Sequence, residues 1–333
     1  MDNKVNSDGI VLLAKKPGYT SFTSLNSVKK ALGTSKVGHT GTLDSFAQGL
    51  LVVCAGRLTK LAGCITEFDK TYEAVIKFGE ETDTLEYTGN VIRTAPLPSL
   101  NSLSKVLNKF KGKLMQTPPA FSAIHVNGKR ASDLAREGKT IELPSRPITI
   151  FNSEILETRL NKDEQVEYIR ISFSVSKGTY IRCLARDIGE ECGSAAHLIG
   201  LYRTKVGNFK IEDSAGYNYL QNFTIDSALS QMKKECLNNI TEDSALQKEI
   251  LEKKRGFDLE TAKQCGFSSL QLRDEEAEKK FSNGLPLNSS FFHSEIKAFS
   301  QENILAVFTP AGQFKGLIEL DQNNKLKYKF VIN

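Results

Sequence analysis

Residues 50–55, Leu-Leu-Val-Val-Cys-Ala, form an apolar run of the length of a buried strand, and residues 10–14 form a shorter one that stops at the turn Lys16-Pro17-Gly18. Between them the period changes. Leu25, Val28 and Leu32 recur at helical spacing, Thr20 or Ser21 can cap the start and Gly33 can end it, which predicts a helix over 22–32. A short helix is expected over 59–65, and Tyr-Glu-Ala-Val-Ile-Lys-Phe at 72–78 alternates as a strand with one solvated face. Leu103, Val106, Leu107 and Phe110 share one face of a helix predicted over 101–111. Pro118-Pro119 forces extended chain, and a short helix over 131–136 closes at Gly138. Strands are expected over 148–160 and 168–175, around the polar turn Asn161-Lys162-Asp163. A helix over 180–191 follows, with Ile181, Leu184, Ala185 and Ile188 inward and Gly193 at its end, and 198–206 reads as the final strand of this unit. Helices and mainly antiparallel strands mix without regular βαβ alternation. The fold class is therefore α+β, a mixed, mainly antiparallel sheet with flanking helices, rather than a doubly wound one.

The remaining third changes character. Residues 222–262 are polar, charged and helix-prone, and read as helices bridging to a second unit. From about 266 onward, short apolar stretches at 270–272, 304–308 and 316–320 are separated by Gly, Asn and Asp, which predicts a small β-rich domain. The expected division is 1–221, 222–265 and 266–333, and 333 residues suit two domains.

A hydrophobic fraction of 40% and a charged fraction of 25% describe an ordinary soluble globular protein. The net charge of +5 does not by itself identify a nucleic-acid binder, but its distribution is uneven. Residues 101–160 carry ten Lys and Arg against five Asp and Glu, whereas 226–280 carry ten against twelve. A basic stretch of this kind suits a polyanion such as RNA and is also the composition of an ordinary solvated face. The six cysteines form no C-x-x-C pair, so neither a zinc site nor a disulfide framework is expected. The start, Met1-Asp2-Asn3-Lys4, lacks a signal segment, and no apolar run reaches membrane-spanning length. The expectation is a reduced, cytoplasmic, metal-free protein.

Candidate chemistry concentrates at Lys36-Val37-Gly38-His39-Thr40-Gly41-Thr42-Leu43-Asp44, immediately before the apolar run at 50–55. Small residues let backbone approach a ligand, and a buried strand behind them would hold Asp44 rigidly. A turn in which Asp44 caps a local backbone N–H accounts for these residue types equally well.

This loop, continued by Ala47-x-Gly49-Leu50-Leu51 and Gly56-Arg57-Leu58-Thr59-Lys60, resembles the signature of the TruB family of tRNA pseudouridine synthases. Further matches follow in order: Leu13-x-x-Lys16-Pro17-Gly18-x-x-Ser21, Lys70-x-Tyr72, Thr82-Asp83-Thr84, Pro118-Pro119-x-Phe121-Ser122-Ala123 and Ser176-Lys177-Gly178-Thr179-Tyr180-Ile181-Arg182. They cover roughly residues 9–210, and more weakly Phe281-Ser282-Asn283-Gly284 and the closing strands resemble a PUA-like RNA-binding domain.

The resemblance implies an isomerase that converts uridine to pseudouridine at position 55 of the tRNA T-arm, without a cofactor or an obligate protein partner. It implies Asp44 as the catalytic carboxylate, Tyr72 stacked on the target base and available as a general base, and Arg182 paired with Asp44. His39 would fill the space left by the flipped uridine, and Leu201 would line the pocket. Among the RNA-binding residues it suggests are Tyr180, Lys16 and Lys60, and the basic stretch adds Lys129 and Arg130 beside the turn Asn127-Gly128. Lys16 and Lys60 are equally readable as solvated charges.

Three positions depart from the family pattern. Ser45 stands where proline is usual, Gln48 replaces threonine and Phe121 replaces tyrosine. The loss of proline predicts a more mobile loop. A second reading is a catalytically idle tRNA-binding or tRNA-folding protein on the same fold. Retention of Asp44, Tyr72 and Arg182 favours the enzyme.

Overall fold

The chain opens with β1 (Gly9–Lys15), α1 (Ser21–Leu32), β2 (Val37–His39) and β3 (Gln48–Ala55), then a 3-10 segment (Gly56–Leu61) and α2 (Ala62–Thr66). Next come β4 (Lys70–Phe78), the pair β5 (Glu80–Thr82) and β6 (Val91–Thr94), α3 (Leu100–Lys109) and β7 (Gly112–Gln116). A small hairpin, β8 (His125–Val126) and β9 (Lys129–Arg130), leads into α4 (Ala131–Arg136). The long strands β10 (Arg146–Leu160) and β11 (Val166–Val175), α5 (Ile181–Glu191), β12 (Ala196–Val206) and β13 (Phe209–Lys210) complete the main sheet. Helices α6 (Ile225–Met232), α7 (Ser244–Lys253) and α8 (Leu259–Gln264) follow. Last are β14 (Ser268–Gln271), α9 (Glu275–Ser282), β15 (Ile304–Phe308), β16 (Phe314–Leu320) and β17 (Leu326–Val331). This computed structural model describes residues 7–126, 128–139, 141–233, 244–293, 304–321, 323 and 325–333.

The main sheet runs β1-β3-β12-β4-β11-β10-β7, with β2 on β3 and β13 on β12. Every pairing is antiparallel except β12 with β3. The expected α+β class and mainly antiparallel sheet are found. The strand expected over 198–206 is two residues longer; only the two-residue β13 follows it in this unit, and in the sheet it lies between β4 and β3.

The period-2 alternation explains why β1 and β3 are buried on both faces. Ile10, Leu12, Leu50, Val52 and Cys54 face one core with Phe257, Phe308, Phe314 and Leu317. Val11, Leu13, Leu51 and Val53 face another, with Leu25, Val28 and Leu32 of α1 and Ile250 of α7. Helix α1 forms as its capping signals predict. Thr20 accepts from the Thr23 N–H at 3.0 Å, and Gly33 adopts the left-handed conformation at φ 59.

Helices α6 and α7, expected as connectors, instead cover the main sheet. Ile225 and Ala228 of α6 pack on Val75 and Ile199, and α7 seals α1 against β1. Strand β4 accordingly has one core face and a second face that α6 covers at Val75, so that face is only partly solvated.

The C-terminal sheet, β14-β15-β16-β17, has its own core of Leu270, Phe281, Leu305, Val307 and Ile318. Its opposite face shares a core with the main sheet through Phe308, Phe314 and Leu317. Lys60 donates to the Val331 carbonyl at 2.8 Å and Arg57 to the Asn333 carbonyl at 2.9 Å. The region is separate in sheet and continuous in packing. Among the described residues no helix is long and apolar enough to cross a membrane.

Candidate active site

Asp44 lies on the loop between β2 and β3, and this loop is pinned at each carbonyl from 41 to 47. Arg203, buried on β12, donates to the carbonyls of Gly41 at 3.1 Å, Thr42 at 3.4 Å and Leu50 at 2.8 Å. Ser21 Oγ donates to the Leu43 carbonyl at 3.0 Å and accepts from its N–H at 2.8 Å. The Asp44 carbonyl accepts from Ala47 N–H at 3.2 Å, and that of Ser45 from Gly18 N–H at 2.8 Å. Gln231 of α6 holds the Phe46 carbonyl at 2.8 Å. Lys15, at the end of β1, places its ammonium 2.6 Å from the carbonyls of both Tyr19 and Ala47, 3.1 Å from that of Lys16 and 3.3 Å from that of Ser45. With serine rather than proline at 45, the backbone here is held by hydrogen bonds from α1, β1, β12 and α6.

Gly49 belongs to the same arrangement. Its φ is +122, and a Cβ there would collide with the backbone of Arg203, its partner in the parallel pairing of β3 and β12. Leu43, Phe46 and Ala47 turn their side chains into the core that contains Tyr72, Ile181 and Leu201. Asp44 stands among them with its carboxylate half-buried.

The carboxylate is gripped by one guanidinium. Arg182 Nε lies 3.0 Å from Asp44 Oδ2, and Nη2 lies 3.3 Å from Oδ1. Arg182 is itself buried on the first turn of α5, and donates further to the carbonyls of Thr84 and Phe121, each at 2.9 Å. The planar fork of arginine fits a carboxylate through two nitrogens, which a lysine could not do. A surface role for Arg182 is excluded by these contacts.

Three buried basic side chains thus surround the loop: Lys15, Arg182 and Arg203. Burial lowers the Lys15 ammonium to about 7, with the Asp44 charge opposing the shift and the Arg203 charge adding to it. Glu86 is a second carboxyl beside the pair. Burial raises its pKa, the Thr88 hydroxyl bond opposes this, and the Asp44 charge raises it further. His39, on β2, is held below the usual imidazole value by burial and then by the Arg203 charge. Its Nδ1 has no hydrogen-bond partner among the described residues.

Tyr72 is almost fully buried on β4, opposite Phe173 of β11 and Arg203 of β12. Leu201 is buried on β12 opposite Ala74. Tyr180 immediately precedes α5. Its backbone N–H donates to Gln116 Oε1 at 2.8 Å, its carbonyl accepts from Gln116 Nε2 at 3.1 Å, and burial raises its phenol pKa. Asp44 and Arg182 form one ion pair, Tyr72 and Leu201 belong to the core that Leu43, Phe46 and Ala47 enter, Tyr180 directly precedes Ile181 and Arg182, and His39 lies on β2 against β3.

The proposed phosphate contacts are more dispersed. Lys129 and Arg130 are exposed on β9, within the excursion whose start, Phe121, is bonded to Arg182. Asn127 of the adjoining turn lies outside the described residues. Lys16 sits with its ammonium 4.8 Å over the Tyr219 ring. Lys60 is engaged with Val331 and belongs with the C-terminal sheet rather than with Asp44. Lys15, Arg203, Gln231 and Glu86 escape a reading of sequence alone. Lys15 and Arg203 carry one weak signal, a charged residue inside an otherwise buried strand. Among the described residues no group of three or more His, Cys, Asp or Glu side chains could hold a metal ion.

A mixed, mainly antiparallel sheet with a separate β-rich C-terminal region is also the fold of a chain in the crystal structure of a Cbf5-Nop10-Gar1 complex. That similarity covers 98% of this chain and 85% of the other, with a TM-score of 0.64 at 22% identity. In sequence, residues 29–181 match the TruB family pseudouridylate synthase (N terminal domain). The tRNA pseudouridine synthase B of Treponema denticola is 48% identical over 235 residues, which span 66% of this chain and 66% of the relative, just under two thirds of its length. That of Francisella tularensis subsp. novicida is 35% identical over 305 residues, 88% of this chain and 98% of the relative. The chain belongs to the TruB family of pseudouridylate synthases.

Proposed function

We propose that the protein is a tRNA pseudouridine synthase that isomerises uridine at position 55 of the T-arm, with Asp44 as its catalytic carboxylate. The observation that carries this reading is the two-nitrogen pairing of Arg182 with Asp44 on a loop pinned at every carbonyl from 41 to 47. A carboxylate that must act on ribose or base has to be held in place. A buried guanidinium that grips it through two nitrogens and a backbone bonded at each carbonyl do this.

The reaction breaks the N1–C1′ bond of uridine and forms a C5–C1′ bond. The proton on C5 leaves and N1 gains one, so no electrons are exchanged with another reagent. The carboxylate can act by addition to the base, by attack on C1′ or through a glycal. In each route Arg182 holds it toward the nucleoside, Tyr72 supplies a ring to stack on the base and a hydroxyl for proton transfer, and Leu201 closes the apolar wall. His39 enters the stack as the uridine leaves it. Tyr180, Lys16, Lys60, Lys129 and Arg130 are assigned to RNA contacts, and residues 266–333 to a PUA-like RNA-binding unit.

The test is pseudouridine formation in two T-arm stem-loop transcripts, one with uridine at position 55 and one with cytidine there. The reading expects product in the first only. Product in neither transcript, with tight binding of both, would favour the idle tRNA-binding protein.

A further inference from the structure

Between Gly9 and Leu43 the sequence holds five lysines and no aspartate or glutamate. Much of this stretch is α1, which has no acidic residue in its first turn and Lys29 and Lys30 in its last. Phe22 stands in that first turn with 66% of its surface exposed, although its neighbours Ser21 and Leu25 are buried. The Lys29 ammonium lies 4.8 Å over its ring. A second pair repeats the arrangement, with Lys16 over Tyr219, itself 41% exposed. Lys16, Tyr19, Thr23 and Lys29 line one cleft of about 500 Å³ between α1 and α7. Both acids of α7 that end its helix are engaged by lysines of the same helix, Glu249 by Lys253 and Glu252 by Lys248.

This face begins at the catalytic loop, because Ser21 bonds both backbone groups of Leu43, next to Asp44. Exposed aromatic rings flanked by lysines, with no carboxylate from the same stretch of chain, match the chemistry of an RNA strand. A ring accepts any base by stacking, and an ammonium that rests over the ring can move to a phosphate. We propose that this face of α1 takes an unpaired nucleotide of the substrate RNA, its base against Phe22 and its flanking phosphates at Lys29 and Lys16. The proposal rests on the RNA-modifying function above and adds to it a contact outside the uridine pocket.

The test uses the full chain with a T-arm stem-loop transcript and a full-length tRNA transcript, titrated at several salt concentrations. Phe22→Ala should raise Kd roughly ten- to a hundredfold, the scale of one lost base–aromatic stack, with the loss carried by KM rather than kcat. Phe22→Tyr should bind as the parent does, and Phe22→Ala should melt as cooperatively as the parent, so that the lost affinity is not a loss of folding. Lys29→Gln combined with Lys16→Gln should flatten the slope of log K against log salt by about one to two units. If Phe22→Ala binds both RNAs as tightly as the parent, or the double variant keeps the parent slope, the proposal is overturned. That outcome leaves parent activity intact, so it is distinct from failure of the functional reading, in which the parent itself forms no pseudouridine.

Discussion

Arg182 and Asp44 meet through two nitrogens and two oxygens, at 3.0 and 3.3 Å, although they stand 138 residues apart in the chain. The same guanidinium bonds the carbonyls of Thr84 and Phe121, so it also ties two other loops to the carboxylate. Arg182→Lys keeps the charge and loses this geometry. We expect kcat to fall by about a hundredfold or more, with RNA affinity within a few-fold of the parent, since positioning errors at a reacting group cost on that order. Retention of parent kcat would show that charge alone suffices.

Tyr72→Phe removes a hydroxyl and keeps the ring. If the hydroxyl takes part in proton transfer, turnover falls by roughly 10²–10⁴-fold while affinity is unchanged. Tyr72→Leu should lower both, because the stacking ring is lost as well. Equal activity of Tyr72→Phe and parent would reduce Tyr72 to a platform for the base.

His39 and His197 bear on stability at acid pH. Burial lowers both imidazole pKa values, with the Arg203 charge adding at His39 and a hydrogen bond to the Glu80 carbonyl opposing at His197. The folded chain therefore keeps them neutral in a range where the unfolded chain, near the ordinary value of about 6.5, takes up protons. More protons on the unfolded state mean that stability falls as pH drops through that value. Urea midpoints at pH 7.5 and 5.5 should differ more for the parent than for His39→Gln. An equal difference in the two proteins would show that His39 does not contribute.

Lys129 and Arg130 are exposed on the hairpin that follows Phe121. If both meet phosphates, neutralising them together weakens binding and flattens the salt slope by roughly one to two units. Turnover at saturating RNA should change little, as neither is assigned to the reacting uridine. An unchanged slope would mean that the pair serves only to solvate the surface.

Local order was well encoded in the sequence. The ends of α1 follow from Thr20 and Gly33, and the inward face of α5 from Ile181, Leu184, Ala185 and Ile188, because caps and helical spacing act within a few residues. The middle place of β12 had no such signal, since strand order depends on pairings between distant segments. The same holds for α6 and α7, whose apolar positions are few and whose packing partners, Val75 and Val11 among them, lie far away in sequence. At the site, the family resemblance supplied Asp44 and Arg182 as partners, and they do form an ion pair. It could not supply Lys15, Arg203 and Gln231, because they act on backbone carbonyls, and the one signal of Lys15 and Arg203, a charge within a buried strand, does not say which carbonyls they meet.

The central claim is that Asp44 performs the isomerisation, and a single-turnover assay of pseudouridine formation with parent and Asp44→Asn tests it most directly. The substitution keeps the shape of the side chain and removes its charge. The account predicts a rate lower by at least about a thousandfold, with stem-loop affinity within a few-fold of the parent. Pseudouridine formed by Asp44→Asn at a near-parent rate would contradict it and remove Asp44 from the chemistry.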